Sequence, residues 1–278
     1  MNTSRRRIES IFHPSDFSEA SEIAFLHALK VALVTKAELT MLHVDPGYDA
    51  DWGDFPGVRS TLERWGLIPD GSAKSAVGNL GIKVQKIIAS SRSPVRACLD
   101  FVDKHPPDLI VVAVHQYEGR VRWQHKRVAE PIAHATAAMT LYLPHGVPGF
   151  VAHETGAVSL KKILVPVARK PRAQPALDAV GRLIRGLQLT EGKVYLLHVG
   201  DAEEMPSLQI PAEPGWDWAV HALEGDPAEV IVQTAAASDS DLIVMTTEGP
   251  HGFLDALRGS TAERVLRGCR CPVLTLHA

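Results

Sequence analysis

The chain has 278 residues, a length that suits two cores of about 140 residues better than one. Apolar residues make up 45% and charged residues 22%, the balance of a soluble globular protein, and no run approaches the ~18 apolar residues that cross a membrane. A net charge of −3 argues against a large nucleic-acid footprint, which is normally basic.

Arg5, Arg6 and Arg7 are not followed by the apolar stretch of a signal peptide, so the start reads as a solvated tail. Ile8–His13 has the pattern of a strand stopped by Pro14. Ser18 then caps a helix over Glu19–Thr35, whose apolar residues recur at helical spacing. Glu38–Val44 is the next strand. A long connection over 45–81 follows, with a helix around Val58–Leu67. Ile82–Ala89 is a strand and Pro94–Lys104 a helix that opens on proline. Leu109–Val114 is an apolar run, as in a strand buried on both faces. A helix over Arg127–Ala137 and a strand over Met139–Leu143 close this half.

Residues 145–160 are rich in Gly, Pro and His and read as a linker between a domain over 1–144 and another over 161–278. The second half restarts: strand Lys161–Val167, helix Gln174–Leu187, strands Lys193–Val199 and Trp216–Leu223, helix Pro227–Ser238, strand Leu242–Thr247, helix Ser260–Gly268 and strand Pro272–His277. Its segment 200–215 is much shorter than 45–81, so the extra helix is expected to be missing there. Five strands per half with helical crossovers predict an α/β fold of two tandem domains, each a five-stranded parallel sheet with helices on both faces.

The halves are related. Residues 108–143 align with 241–276 without a gap, with nine identities in 36 positions, among them Asp108/Asp241 and Glu130/Glu263. They differ after the fourth strand. The second half reads Gly249-Pro-His-Gly252, six residues, then Gly259-Ser260 at a helix start. Glycines let a backbone approach a phosphate, and a helix N-terminus favours anions. The alternative is a plain turn with Ser260 as a cap. The spacing is neither a P-loop nor a dinucleotide fingerprint.

The chain resembles the universal stress protein family in tandem form. The likeness rests on "FHPSDFSEASEIAFLHAL" and "ILVPV" at the two starts, "MLHV" and "LLHV" at the second strands, "DLIVM", and "GSTAERVLRGCRCPVLTL" at the end. It implies that Gly249, Gly252, Gly259 and Ser260 hold the phosphates of ATP, although the middle of the loop has six residues where the family has nine. It also implies that Val199, with Val44 in the first half, faces the adenine, and Thr247 ends the strand before the loop. The Asp with which the family's first strand contacts nucleotide is Asp16 in the first half and is replaced by Ala168 in the second. In the first half Gln116 stands for Gly249, and Lys126-Arg127 stand for Gly259-Ser260. Arg120, Arg122, His125, Lys126 and Arg127 could take an anion by charge, with a solvated loop as the alternative.

His13, Asp16, His43 and His115 fall near strand ends, but His198 repeats His43 without the others, so a shared structural role is favoured over a metal site. Cys98, Cys269 and Cys271 form no disulfide framework or zinc pair, which points to reduced thiols in a reducing, cytoplasmic setting. No nucleophile motif is present. The resemblance implies a stress-response regulator that binds an adenine nucleotide without a dedicated reaction. A nucleotide-independent scaffold and a slow ATP hydrolase are the alternatives. It also implies that the closing strands pair the halves as an intrachain pseudo-dimer, or pair two chains as a homodimer.

Overall fold

The structure, a computed structural model, describes residues 7–47, 50–114, 136, 138–248 and 260–278. Over these residues the chain divides into two compact units, Arg7–Val158 and Ser159–Ala278. The first contains β1 (Ser10–Ser15), α1 (Glu19–Thr35), β2 (Glu38–Asp45), α2 (Val58–Arg64), α3 (Ser75–Asn79), β3 (Lys83–Ser90), α4 (Pro94–Lys104), β4 (Leu109–Val114) and β5 (Met139–Pro144). Its strands lie in the order β3-β2-β1-β4-β5, every neighbouring pair parallel.

The second unit contains β6 (Lys162–Val167), α5 (Gln174–Gly186), β7 (Gly192–Val199), β8 (Trp216–Leu223), α6 (Pro227–Ala237), β9 (Leu242–Thr247), α7 (Thr261–Gly268) and β10 (Val273–His277). Its order, β8-β7-β6-β9-β10, is the same topology, again parallel throughout. The expected pair of five-stranded parallel sheets is therefore the observed fold. Only a single 3-10 turn, Ala202–Glu204, stands in the short connection where α2 and α3 sit in the first unit. The helix expected over Arg127–Ala137 lies almost wholly outside the described residues.

Local chemistry sets these elements. Ser18 accepts from the Ser21 amide and starts α1, and Ser93, Asp226 and Ser260 cap α4, α6 and α7 in the same way. The four residues Leu109–Val112 are all buried, so β4 is covered on both faces, at about 1.5–3 kcal/mol per large side chain. The first identity of the repeat is a clasp. Asp108 Oδ2 accepts from the amides of Glu9 (2.9 Å) and Ser10 (3.1 Å), and Asp241 Oδ2 accepts from those of Lys161 and Lys162 (both 2.8 Å). Each carboxylate ties the start of the fourth strand to the start of the first.

Two expectations need revision. Pro14 does not stop β1; the strand runs through it to Ser15, with Pro14 opposite Leu42. The segment read as a linker is packed down. Ala152 and Gly156 belong to a small turn bridged by Val151 and Val158, and the Trp65 indole and Arg64 guanidinium both donate to the His153 carbonyl. The Phe150 amide donates to His27 Nε2 at 3.0 Å, and His27 Nδ1 donates to the Ile23 carbonyl at 2.8 Å.

Candidate functional site

Parallel sheets of this order bind ligands beyond the carboxyl ends of their strands, where successive crossovers diverge. In both units that point lies between the first and fourth strands. β1 meets β4 only at Ile11–Leu109 and Phe12–Ile110, and β6 meets β9 only at Ile163–Leu242 and Leu164–Ile243. Pro14 and Pro166 follow the last paired residues at the same spacing, and neither has an N–H to extend the ladder. The ladder between the first and fourth strands ends there in both units.

One contact recurs on both sides of the duplication. His43 lies opposite Ser15, and its Nδ1 is 2.8 Å from the Ser15 carbonyl; His198 lies opposite Val167, and its Nδ1 is 3.0 Å from the Val167 carbonyl. A carbonyl only accepts, so Nδ1 carries the proton in each ring and Nε2 of the neutral ring is an acceptor. The repeated histidine holds the second strand to the end of the first, as its recurrence suggested.

The surroundings of the two rings differ. In the first unit the Phe17 ring lies on the His43 imidazole, centroids 3.8 Å apart and planes 16° apart, and Phe55 meets Phe17 edge-on at 5.0 Å. Trp52 stacks on Phe55 at 6.3 Å, and the Lys86 ammonium stands 5.5 Å from the Phe55 centroid. Partial burial depresses the Lys86 pKa, with Lys74 adding to the effect. Phe17 has φ +61, a left-handed conformation rare for a bulky residue. The Asp16 carboxylate fixes that turn by accepting from the Ser18 amide (3.0 Å) and hydroxyl (2.6 Å). Val44, the other residue expected to face a base in this half, is buried opposite Ala89.

In the second unit the residue equivalent to Phe17 is Arg169, whose Nε donates to the Glu204 carbonyl at 2.9 Å. No aromatic side chain among the described residues is stacked on His198. Its Nε2 is buried and has no hydrogen-bond partner among the described residues. Gly200 is adjacent at φ +137; a β-carbon there would stand 3.4 Å from that nitrogen. Val199 ends β7, and Thr247 ends β9 with its hydroxyl donating to the Leu276 carbonyl at 3.2 Å. These two strands flank β6. Ser260 accepts from the Glu263 amide at 3.1 Å, which leaves its own O–H proton available to an acceptor. Arg169, Lys170 and Arg172 are exposed just after β6, where the first unit has Asp16 and Glu19.

Gly249, Gly252 and Gly259, and in the first half Gln116, Lys126 and Arg127, lie outside the described residues. Of the residues weighed for a metal, His115 lies outside the described residues. His13 is fully buried, with Nδ1 on the Val111 carbonyl at 2.9 Å and Nε2 on the Ser21 hydroxyl at 3.3 Å. Among the described residues no group of three His, Cys, Asp or Glu could hold a metal ion. Nor is any described helix long and apolar enough to cross a membrane. The aromatic stack on His43 had escaped sequence reasoning. Phe17 and Phe55 are 38 residues apart, and only the fold brings their rings together.

Comparison with known proteins was consistent across sequence and structure. The model of the universal stress protein family matches residues 8–143 and 211–277. A universal stress protein of Methanocaldococcus jannaschii is 32% identical over 143 residues, covering 42% of this chain and 81% of the relative. The crystal structure of a universal stress protein from Archaeoglobus fulgidus superposes with TM-score 0.59 at 18% identity, covering 96% of this chain and 97% of that one. A Pseudomonas aeruginosa protein described as functionally unknown superposes with TM-score 0.61 at 16% identity, covering 99% and 94%. At these identities the two structures speak to fold alone.

Proposed function

Since the chain belongs to the universal stress protein family, we propose that it serves the stress response as a non-catalytic regulator that binds an adenine nucleotide, ATP, in its carboxyl-terminal unit. The observation that carries this reading is the contrast at one repeated position. Phe17 stacks on one face of the half-buried His43, whereas the buried Nε2 of His198 has no partner among the described residues. A buried ring nitrogen without a protein partner is a group that a ligand or a water satisfies.

The chemistry near these strand ends favours a polyphosphate. The N-terminus of α7 carries the positive end of a helix dipole, and Ser260 adds a hydroxyl donor. Ala168 removes the carboxylate that the first half keeps, and Arg169, Lys170 and Arg172 add three cations near the same strand end. Each cation is worth about 1 kcal/mol of attraction per phosphate charge at contact in water, so several together discriminate ATP from an uncharged nucleoside.

Calorimetric titration with ATP tests the reading. The wild-type chain is expected to bind one ATP. Gly259→Asp is expected to lose at least 90% of that affinity, because a carboxylate beside the α7 N-terminus opposes the phosphates. No heat at millimolar ATP, or unchanged affinity in the variant, overturns it.

A further inference from the structure

We infer that β8, the outer strand of the carboxyl-terminal unit, is a docking edge for a second copy of the chain, paired antiparallel about Ala219. Among the described residues β7 is the only strand beside it, and its eight residues include no proline. An exposed strand edge presents a row of unpaired N–H and C=O groups, and proteins guard such edges with lysines, prolines or a covering segment. The matching edge of the amino-terminal unit is guarded. β3 carries Lys83, bridged to Glu38 at 2.8 Å, and Lys86, whose ammonium stands 5.5 Å from the Phe55 ring of the connection after β2. β8 has no lysine, and six of its eight residues are apolar. Counted from the paired histidines, Val220 occupies the place of Lys86, and it is 51% exposed, with Leu223 at 45%.

The bonds to β7 decide how a partner can lie. The carbonyls of Gly215 and Leu223 accept from the amides of Gly192 (3.1 Å) and Gly200 (2.9 Å), so the odd-numbered residues turn their backbone groups to β7. Trp218, Val220 and Ala222 turn theirs to the outer edge. A second copy related by a two-fold axis presents the same patch and meets β8 antiparallel. The outward groups bond only where even-numbered residues lie opposite even-numbered ones. Among such registers, the one centred on Ala219 alone sets Asp217 opposite the partner's His221. It also sets Trp218 opposite the partner's Val220, an aromatic beside a β-branched side chain. Symmetry makes each pair twice. Asp217 and His221 are both exposed on the face that carries Lys193 and Tyr195, Asp217 at 3.5 Å from the Lys193 ammonium and His221 at 5.9 Å from the Tyr195 ring. The strand is thus complementary to itself in charge and in shape, which is why the occupant is another copy of this chain.

Sedimentation velocity of the full chain over a range of concentrations, without nucleotide, tests the inference apart from the ATP reading. The wild type is expected to dimerise reversibly with a dissociation constant of about 10–100 µM, the weak range that suits a small interface. Val220→Lys gives β8 the residue that β3 carries, and is expected to weaken the dimer about tenfold or more while leaving the melting temperature unchanged. His221→Asp sets carboxylate against carboxylate at both ends of the ladder and is expected to weaken it about tenfold as well. Asp217→His combined with His221→Asp exchanges the two partners and is expected to restore the wild-type affinity. A wild-type chain still monomeric at about 1 mM overturns the inference and leaves the edge to some other extended segment. A dimer that neither Val220→Lys nor His221→Asp weakens overturns it too, because another surface then holds the copies together. Failure of the exchanged pair to recover what His221→Asp loses overturns the register about Ala219.

Discussion

At the scale of single residues, buried histidines make the first unit sensitive to acid. His13 and His27 are both held neutral by burial, which pulls each pKa from 6.5 down to about 4. Between those two values the unfolded chain binds the proton that the folded chain refuses. The full stability of the neutral rings is therefore present above about pH 6.5 and declines as pH falls towards 4, by roughly 3 kcal/mol per ring at the lower end. For His27 the geometry adds to the effect of burial, since protonating Nε2 would set an N–H against the Phe150 amide. His27→Gln removes the titration while its amide can still accept from Phe150. Denaturant midpoints measured from pH 7 to 4.5 should fall less steeply in that variant; parallel slopes would show that His27 does not carry the effect. Burial likewise pushes the Cys98 and Cys271 thiols up to about 12, and all three cysteines are buried and outside any disulfide, in keeping with inert structural thiols. Much of this scale could be read in advance. Ser18 declared itself as a cap by position, and a cap was one of the two readings of Ser260. The left-handed Phe17 could not, because nothing in "SDFS" distinguishes a phenylalanine that packs outward from one folded back onto His43.

At the scale of elements, most strands and helices follow from apolar periodicity and capping with limits moved by only a residue or two, whereas α2 stops at Arg64 instead of Leu67 and α3 was not anticipated. Leu109–Val114 and Leu242–Thr247 were legible as buried strands because four consecutive apolar residues suit only a sheet covered twice. Segment 145–158 was not legible. Its glycines and prolines suggested a solvated connection, yet two of those glycines serve close approach to the first unit. Gly149 has φ +71 and lies against His27, where an added β-carbon would stand 2.3 Å from the ring; Gly156 has φ +64 and would meet Trp65 at 2.5 Å. Gly149→Ala therefore combines a forbidden φ with a clash inside a packed contact, and is expected to destabilise the first unit by about 2–4 kcal/mol. Limited proteolysis should then cut within 145–158 at enzyme levels that leave the wild type intact. Equal resistance in both proteins would mean that the His27–Phe150 contact does not hold this segment. Composition alone cannot separate a glycine that frees a chain from one that lets it lie close.

At the scale of the whole molecule, one topology occurs twice with different equipment at the same strand ends. The first unit keeps the acidic Asp16 and fills the space over its histidine with aromatic rings. The second carries Arg169, Lys170 and Arg172, a glycine at position 200, and a histidine whose Nε2 has no partner among the described residues. The duplication, the family and the fold were all legible in the sequence. The proposed division of labour was legible only in part, through the glycine pattern of 249–260 and the missing Asp, because the difference in ring packing involves strands far apart in the chain. Hydrogen–deuterium exchange of the intact chain with and without saturating ATP tests that division directly. ATP is predicted to slow exchange at Val199–Asp201, Thr247–Glu248 and Ser260–Glu263, and to leave Ser15–Ser18 and His43–Gly47 unchanged. Protection confined to the first unit, or none in either, would contradict it.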